Sequence, residues 1–165
     1  MRSDNQSVKF LFAEYDILDT AAEAEYDNIA VIAAQICATP IAYISFIDNN
    51  RQWFKAKVGF DLNENRLDQS FCRHALTQDP LVVIPDLALD VRTQKDDRVT
   101  SDPHLRFYAG ALIKSSDDKL LGTVCVMDVN PHPLGLSPQQ QNAMLALARQ
   151  VTELLELRRS IRERD

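Results

Sequence analysis

The side chains best able to do chemistry in this 165-residue chain are three cysteines, Cys37, Cys72 and Cys125, and three histidines, His74, His104 and His132. Cys72-Arg73-His74 is the tightest pairing. At i and i+2 on a helix the two side chains point about 200° apart, so they do not face each other. A redox role for Cys72 requires a lowered thiol pKa. The plainer use of Phe71-Cys72 is a buried shoulder beneath a pocket, since free cysteine is commonly a small core residue. Cys37 and Cys125 fall in apolar helix and strand patterns and are expected in the core. There is no C-x-x-C pair and no H-E-x-x-H, so no metal site is written locally. An odd, widely spaced cysteine count predicts reduced thiols and a cytoplasmic location.

A second constellation is His104, Arg106 and Tyr108, just before or within an apolar run. If the strand starts at Arg106, the guanidinium and the phenol project to one side. Two uses are open to them. Together they suit an anionic group, or Arg106 pairs with an acid of residues 86–102 and pins that segment. Asp86 is a further candidate, as a cap or a ligand contact. Trp53 shares alternation with Lys55 and Lys57, which predicts an amphipathic surface strand or a partner contact.

The composition limits what these residues can serve. With 18 Lys+Arg against 24 Asp+Glu the formal charge is −6, and no basic block is present. That excludes a nucleic-acid binder, which needs clustered cations against phosphate. The longest apolar run, Ile29 to Ala34, is six residues, far short of the roughly 18 that mark a membrane span. Met1-Arg2-Ser3-Asp4-Asn5-Gln6 is too polar and acidic for a secretory signal. The four glycines stand apart, at 59, 110, 122 and 135, which excludes phosphate-cradling fingerprints.

The elements that must position these residues follow from periodicity. Residues 1–14 are a lead with some helical character, and residues 15–165 are expected to form one domain. Thr20-x-x-Glu23 reads as a capping box, followed by Tyr26, Ile29, Ala33 and Ile36 at helical spacing and closed by Thr39-Pro40. Ile41 to Asp48 and Gln52 to Val58 read as a hairpin turning at Asn49-Asn50. In it Ala42, Ile44 and Phe46 form one face, and Phe54, Ala56 and Val58 the apolar face of the second strand. Gly59 to Gln69 reads as a polar loop, Ser70 as the cap of a short helix, and Leu81 to Ile84 as a strand. Asp86 to Pro103 lacks periodicity and is too long for an ordinary connector. Phe107 to Lys114 and Leu120 to Asp128 form a second hairpin. Ser137-Pro138-x-Gln140 caps a long helix over 137–163. On it Met144, Leu147, Val151, Leu154 and Ile161 recur at heptad spacing, with Arg158 intruding in the seam; over 137–151 this suits packing on the sheet or pairing with a second copy, and beyond 151 it predicts pairing. The order of elements gives an α/β (α+β) fold with a mainly antiparallel sheet.

In this order the chain resembles a GAF domain, of the sensory type found N-terminal to bacterial histidine kinases and diguanylate cyclases. The carrying segments are Ile17-Leu18-Asp19-Thr20, Thr39-Pro40-Ile41-Ala42 through Ser45-Phe46-Ile47-Asp48, and Arg51-Gln52-Trp53-Phe54-Lys55-Ala56. They continue with Ser70-Phe71-Cys72-x-His74-Ala75, Pro85-Asp86-Leu87, Leu105-Arg106-Phe107-Tyr108-Ala109-Gly110, Gly122-Thr123-Val124-Cys125-Val126-Met127-Asp128 and Leu147-Ala148-Arg149-Gln150-Val151.

The resemblance implies a five- to six-stranded antiparallel sheet. Terminal helices, which commonly dimerise, cover one face, and long connections roof a small-ligand pocket on the other. Phe71, Cys72, His74, Asp86, His104, Arg106 and Tyr108 become its candidate lining. GAF domains as a class bind cyclic nucleotides, tetrapyrroles, haem, metals or small metabolites, so the cofactor stays unknown. Asp90-Val91-Arg92-Thr93-Gln94-Lys95-Asp96-Asp97 departs from the usual Asp-Pro-Arg-Phe type segment of the roof. Asp117-Asp118-Lys119 replaces the usual glycine turn. No output domain follows Asp165, which predicts action on a separate partner. The expected function is a non-catalytic sensory module, a homodimer bound to neither nucleic acid nor membrane. The alternatives are a free methionine-(R)-sulfoxide reductase, whose cysteine pattern is missing between residues 73 and 124, and a ligand-free dimerisation module. A covalent bilin receptor is disfavoured because Cys72-Arg73-His74 is not its cysteine–histidine pair.

Overall fold

A computed structural model describes residues 15–48, 51–66, 71 and 80–164. The chain order is α1 (Ala24–Cys37), β1 (Ile41–Asp48), β2 (Arg51–Val58), β3 (Glu64–Arg66), β4 (Leu81–Ile84), α2 (Asp97–Thr100), β5 (Phe107–Lys114), β6 (Leu120–Asp128) and α3 (Pro138–Arg164). The strands form one six-stranded sheet in the order β3-β2-β1-β6-β5-β4, and every pairing is antiparallel. Both expected hairpins form. β1 and β6 lie side by side at the centre, so the two hairpins share one core.

Helix α1 carries Glu25 and Asp27 in its first turn, where the helix dipole favours negative charge. It ends at Ala38, which adopts the left-handed conformation (φ 54°), while the Thr39 amide donates back to the Ala34 carbonyl (2.9 Å). The expected Thr20–Glu23 capping box does not form. Glu23 itself is the N-cap and makes no side-chain cap bond, and the Thr20 hydroxyl donates to the Ile17 carbonyl (2.6 Å). The Glu23 carboxylate is instead held by Lys55 and Arg158.

The expected faces of β1 are observed. Ala42, Ile44 and Phe46 join the core beneath the helices, and Tyr43 joins the cluster on the opposite side. Strand β2 breaks strict alternation. Ile44 pairs with Ala56 but Ser45 pairs with Phe54, so Lys55 is the extra residue of a β-bulge. The bulge turns Trp53 and Ala56 to the helix side and Phe54 to the other. Two expectations are thereby corrected. Phe54 and Ala56 do not share a face, and Trp53 is 6 % exposed and stacked on Phe46 (centroids 6.5 Å apart) rather than lying at the surface. The loop expected after Gly59 contains the short edge strand β3, paired to β2. The Asn49-Asn50 turn and the Ser70 cap lie outside the described residues.

Helix α3 opens on the expected capping box. The Gln140 amide donates to Ser137 Oγ (3.1 Å), and the Ser137 amide donates to Gln140 Oε1 (2.8 Å). Its buried residues are Met144, Ala148, Val151 and Leu155, which pack with α1 and the inner strands in one cluster. Burying each large side chain there contributes about 1.5–3 kcal/mol. The heptad stripe is therefore spent largely inside the chain. Met144 and Val151 are fully buried and leave the candidate dimer interface. Leu147 and Leu154 are half-buried against the same core, and Ile161 is 51 % exposed. Arg158 intrudes in the seam because its guanidinium serves Glu23 and the carbonyls of Tyr15 and Asp16.

Candidate functional site

The face of the sheet away from α1 and α3 is floored by a row of buried polar side chains crossing four strands. Gln52 Nε2 (β2) donates to Ser45 Oγ (β1) at 3.1 Å. Ser45 Oγ and Thr123 Oγ1 (β6) are 2.9 Å apart, because Ser45 and Thr123 are register partners. Cys125 Sγ donates to Thr123 Oγ1 at 3.0 Å, and Tyr108 OH (β5) meets Cys125 Sγ at 3.3 Å. All five side chains are buried. Purely apolar packing would cost less here than polar groups that must each find a partner. The row therefore marks this face as chemically distinct from the helix side.

Aromatic rings flank the row. Tyr43, Phe54 and Phe60 make three mutual edge contacts with centroids 4.9 to 5.7 Å apart. Phe71 and Tyr108 meet at 5.8 Å. Over them lies the connection from β4 to β5, which is ordered by named contacts. The Leu87 amide donates to the Arg106 carbonyl (2.6 Å) and the Leu105 amide to the Arg98 carbonyl (2.8 Å). The Thr93 hydroxyl donates to the Leu87 carbonyl (2.7 Å). Leu87, Val99 and Leu105 point into the cluster, and the Arg98 guanidinium stacks 4.1 Å above the Phe71 ring. A long aperiodic segment is thus a built roof.

Of the candidate residues, Phe71 and Tyr108 come together at the floor. Arg106 points into the roof and donates from Nη1 to the Val99 carbonyl (2.8 Å) and the Leu105 carbonyl (2.9 Å). Among the described residues Arg106 pins the segment through carbonyls rather than through an acid. Asp86 Oδ1 accepts the Ala88 amide (3.0 Å) and shapes the turn. His104 stands exposed with φ 60°, outside the cluster, and is not part of the lining. Cys72 and His74 lie outside the described residues. Gln52, Ser45 and Thr123 were not among the sequence candidates, nor was Arg98. Their only signal is polar residues inside apolar strand runs, which acquire meaning once β1 is known to pair with both β2 and β6.

Both described cysteines are sealed. Burial pushes the Cys37 thiol up to about 11, and Cys125 is fully buried within the polar row. Among the described residues no group of three His, Cys, Asp or Glu could hold a metal ion, and no helix is long and apolar enough to cross a membrane. His132 bonds Asp128 through Nε2 (2.8 Å) and stacks on Phe107 (4.0 Å), a closing contact at the end of β6. Two clefts open on the helix side, away from the roofed face. One, of about 450 Å³, is lined by Glu23, Tyr26, Leu154, Leu157, Arg158 and Ile161 among others. The second, of about 360 Å³, lies between Pro80, Leu112 and Arg149.

Six antiparallel strands, helices on one face and a roofing connection over the other are what the resemblance implied. Residues 21–155 match the GAF domain family. The chain is a GAF domain. It is 33% identical over 128 residues to a cyclic di-GMP phosphodiesterase of Pseudomonas aeruginosa, a match covering 78% of this chain and 22% of that protein. The chain spans about a fifth of the length of this curated relative. Among solved structures it is similar to a domain of a two-component sensor histidine kinase protein of Sinorhizobium meliloti, with a TM-score of 0.67 and 14% identity, covering 89% of this chain and 100% of that one. It is also similar to a free methionine-R-sulfoxide reductase of Neisseria meningitidis, with a TM-score of 0.66 and 13% identity, covering 95% of this chain and 91% of that one. At these identities the two structures speak to the fold. GAF domains of this kind occur in signalling proteins, and this GAF domain divides its sheet accordingly, with one face for helices and one under a roof.

Proposed function

We propose that this GAF domain is a non-catalytic sensory module. It binds a small ligand on the roofed face and reports through α1 and α3 to a catalytic or signalling unit coupled to it. The observation that carries this reading is the buried row Gln52–Ser45–Thr123–Cys125–Tyr108. It supplies hydrogen-bonding groups on a face that apolar side chains alone would stabilise as well. The curated relative supports cyclic di-GMP turnover as the output under control. The non-catalytic reading is supported by the two described thiols, one raised by burial and one closed inside the row, neither of which offers an accessible thiolate. A second copy would pair through the exposed stripe of Leu157 and Ile161 rather than through Met144 and Val151.

Native mass spectrometry of protein purified without added ligand tests the reading, because one spectrum reports both oligomer and retained mass. A small molecule retained at one per chain, and lost in a Thr123→Val variant, is the expected result. Protein that carries no added mass, and whose Tm no member of a metabolite panel raises, overturns the ligand. A strict monomer at micromolar concentration overturns the pairing.

A further inference from the structure

Lys55 is a lysine whose side chain is 0% exposed. Its ammonium has three donors and all three are used. They go to Thr20 Oγ1 (2.8 Å), the Ala21 carbonyl (2.7 Å) and the Glu23 carboxylate. Glu23 is the N-cap of α1 and also accepts Arg158 Nη1 at 3.0 Å. Arg158 in turn donates from Nε to the Tyr15 carbonyl (2.8 Å) and from Nη2 to the Asp16 carbonyl (2.8 Å). One chain of charged hydrogen bonds thus joins β2, the entry to α1 and the far half of α3.

Two further features give this chain a direction. Lys55 is the bulged residue of β2, and its neighbour Phe54 points the other way, into the aromatic trio of the roofed face. The backbone at the bulge is therefore shared by both faces, and the ladder hydrogen bonding that would fix the strand is locally interrupted there. At the other end, Leu155 is the last buried residue of α3. Beyond it Leu157 and Ile161 are exposed, and the segment is held by Arg158, together with Glu156 and Arg159 around Tyr15.

We infer that Lys55, Glu23 and Arg158 form a relay that converts displacement of Phe54 on the roofed face into release or docking of α3 beyond Leu155. The relay deepens the sensory reading and rests on it for its purpose. It has two arrangements. In the latched one Glu23 bridges the two cations. In the released one Arg158 leaves Glu23 and α3 past Leu155 keeps fewer contacts. A ligand that displaces Phe54 shifts the balance by its different affinity for the two. All three are positioning residues.

Hydrogen exchange of the full chain, without any ligand, tests the relay on the amides of residues 157–164. Arg158→Met raises their exchange by about tenfold, the scale set by losing charged hydrogen bonds. Lys55→Met, on β2 and outside α3 altogether, raises the same amides by about threefold or more. The double variant matches Arg158→Met alone. Phe54→Leu alters exchange at 157–164 in the native background and leaves it unchanged in the Arg158→Met background. If Lys55→Met does not fold, Glu23→Gln, which keeps the shape and removes the charge, replaces it with the same expectation. Additive effects of Lys55→Met and Arg158→Met overturn the relay, as does a Phe54→Leu effect that persists without Arg158. Because no ligand is used, a domain that binds nothing leaves this result standing, and a failed relay leaves the ligand test untouched.

Discussion

Thr123→Val probes the polar floor with the least change of shape. Valine fills the volume of threonine but lacks Oγ1, which faces Ser45 Oγ at 2.9 Å and accepts the Cys125 thiol at 3.0 Å. The thiol is a weak donor, so its loss contributes little. Ser45 matters more. It still accepts Gln52 Nε2 but loses the hydroxyl opposite it, at a site with no solvent to replace it. Leaving a buried polar group short of a partner costs about 1–3 kcal/mol, so about 2 kcal/mol is expected. For a chain of this size that lowers Tm by roughly 4–8 °C, at about 2–4 °C per kcal/mol. The assay is urea unfolding followed by the fluorescence of Trp53, the one tryptophan of the chain, which is buried on the other face. Thr123→Ser keeps the oxygen and is expected to lose under about 1 kcal/mol, the share of one methyl group. Combining Ser45→Ala with Thr123→Val removes both partners together, so the double variant should be more stable than the sum of the singles by about 1 kcal/mol. Thr123→Val as stable as the native chain, or strict additivity in the cycle, would refute the reasoning that these hydroxyls act as one network.

Three further outcomes are expected. Gly122→Ala abolishes folding as judged by circular dichroism, because a Cβ there would stand 1.9 Å from the Ser45 carbonyl oxygen in the neighbouring strand; a cooperative native-like melt would contradict the β1–β6 register. Met144→Ala, fully buried on α3, costs about 2–5 kcal/mol by urea unfolding, whereas Ile161→Ala, half-exposed past the core, stays within about 0.5 kcal/mol; equal costs would mean that the far half of α3 is as firmly packed as its start. Stability falls in acid. Arg51 holds Asp19 below its ordinary 3.8, and although burial alone would raise Glu23, Lys55 and Arg158 hold it below 4.5. Groups lowered on folding stabilise fully above their unfolded values and lose that contribution as pH falls through the folded ones, so urea midpoints should drop steadily below about pH 4.5, less steeply in Glu23→Gln; a flat profile from pH 5 to 3 would contradict the pairing.

What the sequence made legible is what short-range periodicity encodes. Strands β1, β4, β5 and β6 and the start of α3 were readable because alternation and the Ser137–Gln140 box are local. The bulge was not. A bulged strand looks like a regular one until its partner is known, and without the shift Trp53 falls with Lys55 on the wrong face. The heptad stripe left two readings open for a related reason. Met144 and Val151 repeat every seven residues whether a helix packs on its own sheet or on a second copy, and only the position of β5 decides. The site was partly legible. Tyr108 was singled out beside Arg106 and Phe71 through the resemblance, and both lie on the roofed face, while Ser45, Thr123 and Gln52 needed the pairing of three strands that are distant in sequence. Of the two uses left open for Arg106, its contacts among the described residues are those of holding the roof, made to carbonyls.

The bulge also explains how one sheet serves two faces of opposite character. A regular β2 would alternate Trp53, Lys55 and Lys57 against Phe54, Ala56 and Val58, leaving Ala56 on the face away from the helices. Adding one residue lets Trp53 and Ala56 pack beneath the helices while Phe54 joins Tyr43 and Phe60 beyond. The inserted residue must then sit at the helix side with a side chain long enough to leave the core. Lysine meets that need only because Thr20, Ala21 and Glu23 satisfy its ammonium, since a buried charge without partners costs several kcal/mol. The Glu23 side chain thereby makes no cap bond at the start of α1 and is shared between Lys55 and Arg158. The missing capping box, the misplaced tryptophan and the arginine in the heptad seam are thus consequences of one inserted residue in β2, and that residue is where the roofed face and the C-terminal helix meet.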